Sequence, residues 1–271
     1  LMVGVSNDAV NFLNSAIGAK VAKFRTIIIV AAVGVFMGAT MSNGMMEVAR
    51  NGVFHPAMFS LKELMFIFLA VIISDVILLD IFNNLGLPTS TTVSLVFELL
   101  GGTTAFVLLK LANDTTGLTV GDLMNTEKAL GMIMAIFVSV AIAFFFGIVL
   151  QYISRLVFTF TYKKNLKWKI GIFGGVATTA IFYFMLFKGI KSMSFVTPEI
   201  YEYIQNHTLA ILGICFLAST AIMQFLYFLK VNVFKILVLM GTFALAMAFA
   251  GNDLVNFIGV PLAGYSSFID Y

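Results

Sequence analysis

Eight apolar stretches, spanning residues 4–19, 26–48, 64–82, 91–109, 129–150, 170–187, 209–229 and 236–250, decide what this chain can fold into. Crossing about 30 Å of hydrocarbon takes roughly 20 helical residues, and most of these runs are of that length. Over the whole chain of 271 residues, 61% are hydrophobic and only 11% charged, with a mean hydropathy of +1.03. That is more apolar surface than a soluble core can bury, so the expected fold is all-α, a polytopic transmembrane helical bundle whose solvent is the lipid bilayer. A net charge of +3 gives no basic face for nucleic acid. The single cysteine, Cys215, lies inside an apolar run, excludes an internal disulfide, and reads as a small buried hydrophobe. The chain opens on an apolar stretch without a basic leader or small-residue cleavage site, so a signal peptide is not expected there. It stops at Tyr271, where the second of the motifs described below calls for a continuation, and a fragment of a longer protein is expected.

Lys and Arg in short loops stay on the cytoplasmic side. The basic loops carry Lys20, Lys23 and Arg25; Arg155, Lys163, Lys164, Lys167 and Lys169; and Lys230 and Lys235. Placing these inside puts the loops around His55, Asp122 and Glu199 outside. Trp168, among the lysines of the second loop, reads as an anchor at the membrane interface. Between the runs 64–82 and 91–109, Asn83-Asn84-Leu85-Gly86-Leu87-Pro88 interrupts the helix.

Self-comparison brings out an internal repeat. Asn7-Asp8-Ala9-Val10-Asn11-Phe12 and Asn252-Asp253-Leu254-Val255-Asn256-Phe257 share five of six residues at a separation of 253 − 8 = 245. The charge pattern sends the first copy from outside to inside and the second from inside to outside, so the copies are inverted. Inverted repeats of this kind meet about a pseudo-two-fold axis in the membrane plane, with helices broken near the midplane. Asp8 and Asp253 are therefore expected near each other. Helix capping alone does not explain them: an ionised Asp at the bilayer centre costs roughly 2.5–3.5 kcal/mol, and Ser or Thr caps a helix without that cost.

A third element is Gly86-Leu87-Pro88-Thr89-Ser90-Thr91-Thr92, in which Gly and Pro stop one helix and hydroxyl residues open the next. The free N–H groups of a helix start, flanked by hydroxyl donors, make an anion site. An anion cannot sit beside two ionised aspartates unless positive charge intervenes. Cations or protons on the carboxylates would remove the repulsion, and the binding of anion and cation would then be interdependent, which is the thermodynamic basis of symport.

Asn7-Asp8-x-x-Asn11, Gly251-Asn252-Asp253-x-x-Asn256 and Pro88-Thr89-Ser90-Thr91-Thr92 resemble the signatures of the inorganic phosphate transporter (PiT) family. The resemblance implies a secondary active transporter in the cell membrane, carrying inorganic phosphate with Na+ or H+, without a cofactor, and built of two inverted halves. Residues 1–155 would be the first repeat, 156–235 a connecting basic loop with transmembrane helices, and 236–271 the truncated start of the second repeat. Carried over by position, Asn7, Asp8, Asn11, Ser90, Thr91, Thr92, Asn252, Asp253 and Asn256 would bind phosphate. Asp8, Asp253, Asn11 and Asn256 would bind the coupling cation, with Na+ at the two aspartates. The chain departs from the family at Val5-Ser6, where Gly-Ala is usual, and at Val93, where many members have His. The assembly is left open, a homodimer included.

Sulfate or another tetrahedral oxyanion is the rival substrate. An enzyme is not expected: an intramembrane aspartyl protease would carry Gly-x-Gly-Asp, whereas Ala250 and Asn252 stand in those places. Asp75, Asp80 and Glu98 also lie in apolar runs, as further cation ligands or as hydrogen-bonded groups facing the bundle interior.

Overall fold

The computed structural model describes residues 2–40, 53–112, 117, 119–158, 166, 168–189, 198–252 and 254–270. Within these, the side chains of residues 56, 186–189, 198, 200, 201, 252, 254–257, 263, 266, 267 and 270 are not described. The described residues form helices α1 (Met2–Gly18), α2 (Phe24–Thr40), α3 (Leu61–Leu85), α4 (Thr91–Ala112), α5 (Val120–Leu123), α6 (Thr126–Phe158), α7 (Lys169–Gly189), α8 (Pro198–Asn206), α9 (Thr208–Phe228), α10 (Val233–Asn252) and α11 (Leu254–Asp270). A 3₁₀ turn lies at Pro56–Met58. Five of the helices, α3, α4, α6, α9 and most of α10, are long and apolar enough to cross a membrane. Among the described residues, each of the eight apolar runs of the sequence falls on a helix, residues 26–40 of the second run lying in α2. Three further helices, the short α5 together with α8 and α11, lie outside those runs.

The chain divides into two compact units. The first comprises Leu1–Asn11, Ser42–Val140 and Phe249–Tyr271. Its centre is the α3–α4 hairpin, with α11 packed on both helices. Leu64, Ile67, Phe68 and Val71 of α3 recur at the three- and four-residue spacing that puts them on one face. They meet Leu95, Leu99 and Val107 of α4 and Val260 of α11. The opposite face of α3 is just as apolar: Met65, Phe66, Leu69, Ile73, Val76 and Ile77 are all exposed. Water does not support such a face, and lipid does.

Each end of α3 is closed by local chemistry. At its start Ser60 and Glu63 form a capping box, with Ser60 N–H donating to Glu63 Oε2 at 2.6 Å and Glu63 N–H to Ser60 Oγ at 3.4 Å. At its end Gly86 takes φ 68°, a conformation only glycine adopts without strain. Gly86 N–H then donates to Asn83 O and Leu87 N–H to Phe82 O, the paired bonds of a Schellman motif, and Pro88 prevents continuation. At the far end of the hairpin Lys110 Nζ lies 3.1 Å from Glu63 Oε2, donates to Met58 O at 2.8 Å, and stands 5.0 Å from the centre of the Phe59 ring. Phe54 pairs with Met124 there, His55 N–H donating to Leu123 O and Asn125 N–H to Val53 O. His55 and the residues beside Asp122, both placed outside when the three basic loops are put inside, thus meet at one end of this unit.

The second unit comprises Phe12–Met41 and Ala141–Ala248. Its tightest packing joins α7 and α9, where Gly171, Gly174 and Gly175 lie against Gln224, Met223 and Thr220. A Cβ added at any of the three would overlap those side chains, so small residues set the approach, as between helices in lipid. Val233 and Leu237 of α10 complete that core with Ile170 and Met223, and the Phe158, Phe173 and Phe234 rings stack edge to face beside it. Ala16, Val21 and Ile27 form a second cluster with Val238 and Leu239. Gly34 touches the backbone of α10 at Phe243. The unpaired Cys215 is half-buried, one turn from Ser219.

Candidate functional site: a polar clamp across the broken helix hairpin

The interruption between α3 and α4 leaves backbone groups that neither helix satisfies. The start of α1 supplies the missing partners. Asn7 is 3% exposed, and its amide is fully engaged there: Oδ1 accepts from Thr89 N–H at 2.8 Å, while Nδ2 donates to Leu87 O at 3.2 Å and to Asn83 Oδ1 at 2.9 Å. An amide is the smallest side chain that donates and accepts on one planar group, and this gap needs both. Asn7 therefore closes the break in the manner of a turn residue, although it lies about 80 residues away in the chain.

One residue on, Asp8 is 2% exposed and lies at the N-terminal end of α4, where Thr91 Oγ1 donates to its Oδ2 at 3.3 Å. Thr91 is itself 1% exposed. The positive end of the α4 dipole and a hydroxyl donor are what an ionised carboxylate needs in a low-dielectric place. Ser90, exposed, accepts from Val93 N–H through Oγ at 3.4 Å and so caps α4.

Of the sequence-derived site residues, the structure brings Asn7, Asp8 and Thr91 together at the break, with Ser90 and Thr92 on either side of Thr91. Thr92 is half-buried, and Asn11, one turn beyond Asp8, is exposed. Asp253 and the side chains of Asn252 and Asn256 lie outside the described residues. Their segment, Phe249–Tyr271, nevertheless belongs to the same unit as Leu1–Asn11.

Sequence reasoning did not single out Asn83. Its Oδ1 accepts from Asn7, and its Nδ2 donates to Val3 O at 2.9 Å, so it joins the end of α3 to the first turn of α1. Of the other acidic residues in apolar runs, Asp80 is exposed and accepts from Asn84 Nδ2 at 3.2 Å. Glu98 accepts from Ser94 Oγ at 3.1 Å. Among the described residues, Asp75 Oδ1 and Glu98 Oε2 are buried without a hydrogen-bond partner, and no group of three or more His, Cys, Asp or Glu is placed to hold a metal ion.

Apolar helices of spanning length, together with a buried carboxylate at a helix start, define a multi-pass membrane protein with a polar site inside its helical bundle. A sequence model of the phosphate transporter family matches residues 4–269, nearly the whole chain, and the chain belongs to that family. No curated protein sequence matches it. Among solved structures it is similar in fold to one described as "The sodium-dependent phosphate transporter", with a TM-score of 0.69 and 19% identity. That match covers 98% of this chain and 65% of the other, so the chain spans about two thirds of the length of its structural relative.

Proposed function

We propose that this chain forms part of a secondary active transporter that carries inorganic phosphate across the cell membrane by symport with Na+ or H+. The observation that carries the reading is the buried carboxylate of Asp8 at the positive end of α4, hydrogen-bonded to Thr91. A helix start with hydroxyl donors suits a phosphate oxygen, but an ionised Asp8 repels an anion there. A cation on Asp8 turns that repulsion into attraction, and the affinity of each ligand then depends on the other. The similarity in fold to a sodium-dependent phosphate transporter supports Na+ as the partner.

In this reading Asp8, Thr91 and Thr92 contact the ligands, with Asn11 and Ser90 at the margin, and Asn252, Asp253 and Asn256 complete the site from the inverted second half. Asn7 serves the site by holding the break. The test is uptake of radiolabelled phosphate by proteoliposomes of the full-length protein, driven by an imposed Na+ or H+ gradient, with sulfate as competitor. Uptake above the equilibrium level under one of the gradients, undiminished by excess sulfate, is the expected result. Uptake that sulfate abolishes assigns the site to another tetrahedral oxyanion, and the absence of gradient-driven uptake of either anion overturns the proposal.

A further inference from the structure

We propose that Asn83 is a positioning residue for the transport site, setting the height of Asp8 against the first turn of α4. This rests on the phosphate-transport reading above and adds to it a residue that contacts no ligand. The geometry is a chain of four hydrogen bonds between α1 and the broken hairpin. Val3 O accepts from Asn83 Nδ2 at 2.9 Å, Asn83 Oδ1 accepts from Asn7 Nδ2 at 2.9 Å, Asn7 Nδ2 donates also to Leu87 O at 3.2 Å, and Asn7 Oδ1 accepts from Thr89 N–H at 2.8 Å. Both hydrogens and the oxygen of Asn7 are thereby assigned.

The orientation of the Asn7 amide depends on Asn83. Leu87 O and Thr89 N–H alone would be served by one hydrogen and the oxygen, leaving the amide free to tilt. The third contact, to a side chain itself tied to α1 by Val3 O, removes that freedom. Asn7 and Asp8 are adjacent on one helix, so what fixes the Asn7 amide against Thr89 also fixes the Asp8 carboxylate against Thr91, two residues further along the hairpin. The Thr91 Oγ1 to Asp8 Oδ2 distance of 3.3 Å is long for a bond to a carboxylate and leaves no slack for a shift of α1. Val3 O belongs to the first turn of α1, where its carbonyl already has an intrahelical use, so the bond from Asn83 is an addition whose effect is registration of one helix against the other. Neighbouring Asn84 makes no such link: it is exposed, and its amide donates to Asp80 on its own helix.

The test is a double-mutant cycle in the full-length protein, reconstituted in proteoliposomes, with phosphate uptake driven by an imposed Na+ or H+ gradient as the readout. Variants are Asn83→Ala, Asn7→Ala, the double variant, and Asn84→Ala as the control on the same helix. Asn83→Ala is expected to raise the apparent KM for phosphate about tenfold, the size of effect from losing two part-buried neutral hydrogen bonds, with a smaller change in maximal rate. In the Asn7→Ala background the same substitution is expected to add little, because its effect passes through Asn7. Asn84→Ala is expected to leave KM unchanged. If Asn83→Ala is not recovered folded, Asn83→Ser carries the test, since its hydroxyl serves one of the two partners and an intermediate KM is expected. A wild-type KM in the folded Asn83 variant, or full additivity with Asn7→Ala, overturns the inference. Wild-type protein that takes up no phosphate overturns instead the functional reading on which it rests.

Discussion

Replacing Thr91 by Val removes a hydroxyl from the centre of the site while keeping nearly the same shape. Thr91 is 1% exposed and Asp8 2%, so water cannot replace the lost donor without opening the packing. Hydrogen bonds to charged groups contribute roughly 1.5–3 kcal/mol. The observed oxygen separation is 3.3 Å, longer than the strongest bonds of this kind, which places the effect at the lower end, about 1.5 kcal/mol. That corresponds to about a tenfold loss in apparent affinity for phosphate. The assay is initial-rate uptake of labelled phosphate against concentration, in proteoliposomes with a fixed inward Na+ gradient, with Thr91→Ser measured alongside. Thr91→Ser keeps the hydroxyl and is expected to stay near the wild type. If Thr91→Val retains wild-type affinity, or if Thr91→Ser is as impaired as Thr91→Val, the hydroxyl does not support the site, and Thr91 is only the first residue of a helix.

Asp8→Asn is expected to abolish accumulation of phosphate against its gradient while the protein still reaches the membrane, because an amide carries no charge to link cation and anion; accumulation at the wild-type level would remove Asp8 from the coupling mechanism. Gly175→Leu is expected to separate α7 from α9, since even a Cβ there overlaps Thr220, and to cost about 3 kcal/mol of stability, read as a lowered unfolding temperature in detergent; an unchanged transition would show that the helices are not held at glycine distance. Lys110→Met, by contrast, breaks a half-exposed ion pair with Glu63 and is expected to cost less than about 1 kcal/mol, with uptake unaffected; a large loss of stability would mean that the pair and the Met58 carbonyl contact act as a unit.

The helices were legible in the sequence because lipid demands long apolar runs, and the end of α3 was legible because Gly86 and Pro88 act locally; the capping box at Ser60 was not read from the sequence. The run 129–150 underestimated α6, which continues to Phe158 through Gln151, Tyr152, Ser154 and Arg155. Polar residues mark where a helix leaves the apolar part of a membrane, not where its hydrogen bonding stops. The end of the chain was the least legible part: α11 holds Pro261 within its helix, and sequence rules read an internal proline as a terminator. At the site, Asp8 stood out because a carboxylate in an apolar run is costly, and Asn7 stood out with it through the repeat. What the sequence did not carry is where the Asn7 amide goes: it bonds across the break of a hairpin some 80 residues away. Asn83 gave no signal, because an Asn just before a Gly-x-Pro turn is ordinary at a helix end. Its hydrogen bonds to Asn7 and Val3 come from the tertiary approach of α1, which no local pattern encodes.

The measurement that bears most directly on the central claim is the linkage between the two ligands. Phosphate binding to the purified full-length protein is titrated calorimetrically at a series of Na+ concentrations, and Na+ binding at a series of phosphate concentrations, with pH held constant and then varied. If Asp8 couples the two through charge, phosphate affinity rises with Na+, or with proton concentration should H+ be the partner, and each ligand changes the affinity of the other by the same factor. In Asp8→Asn that dependence flattens. Phosphate affinity independent of both cations in the wild-type protein, or a dependence that persists unchanged in Asp8→Asn, would contradict the account.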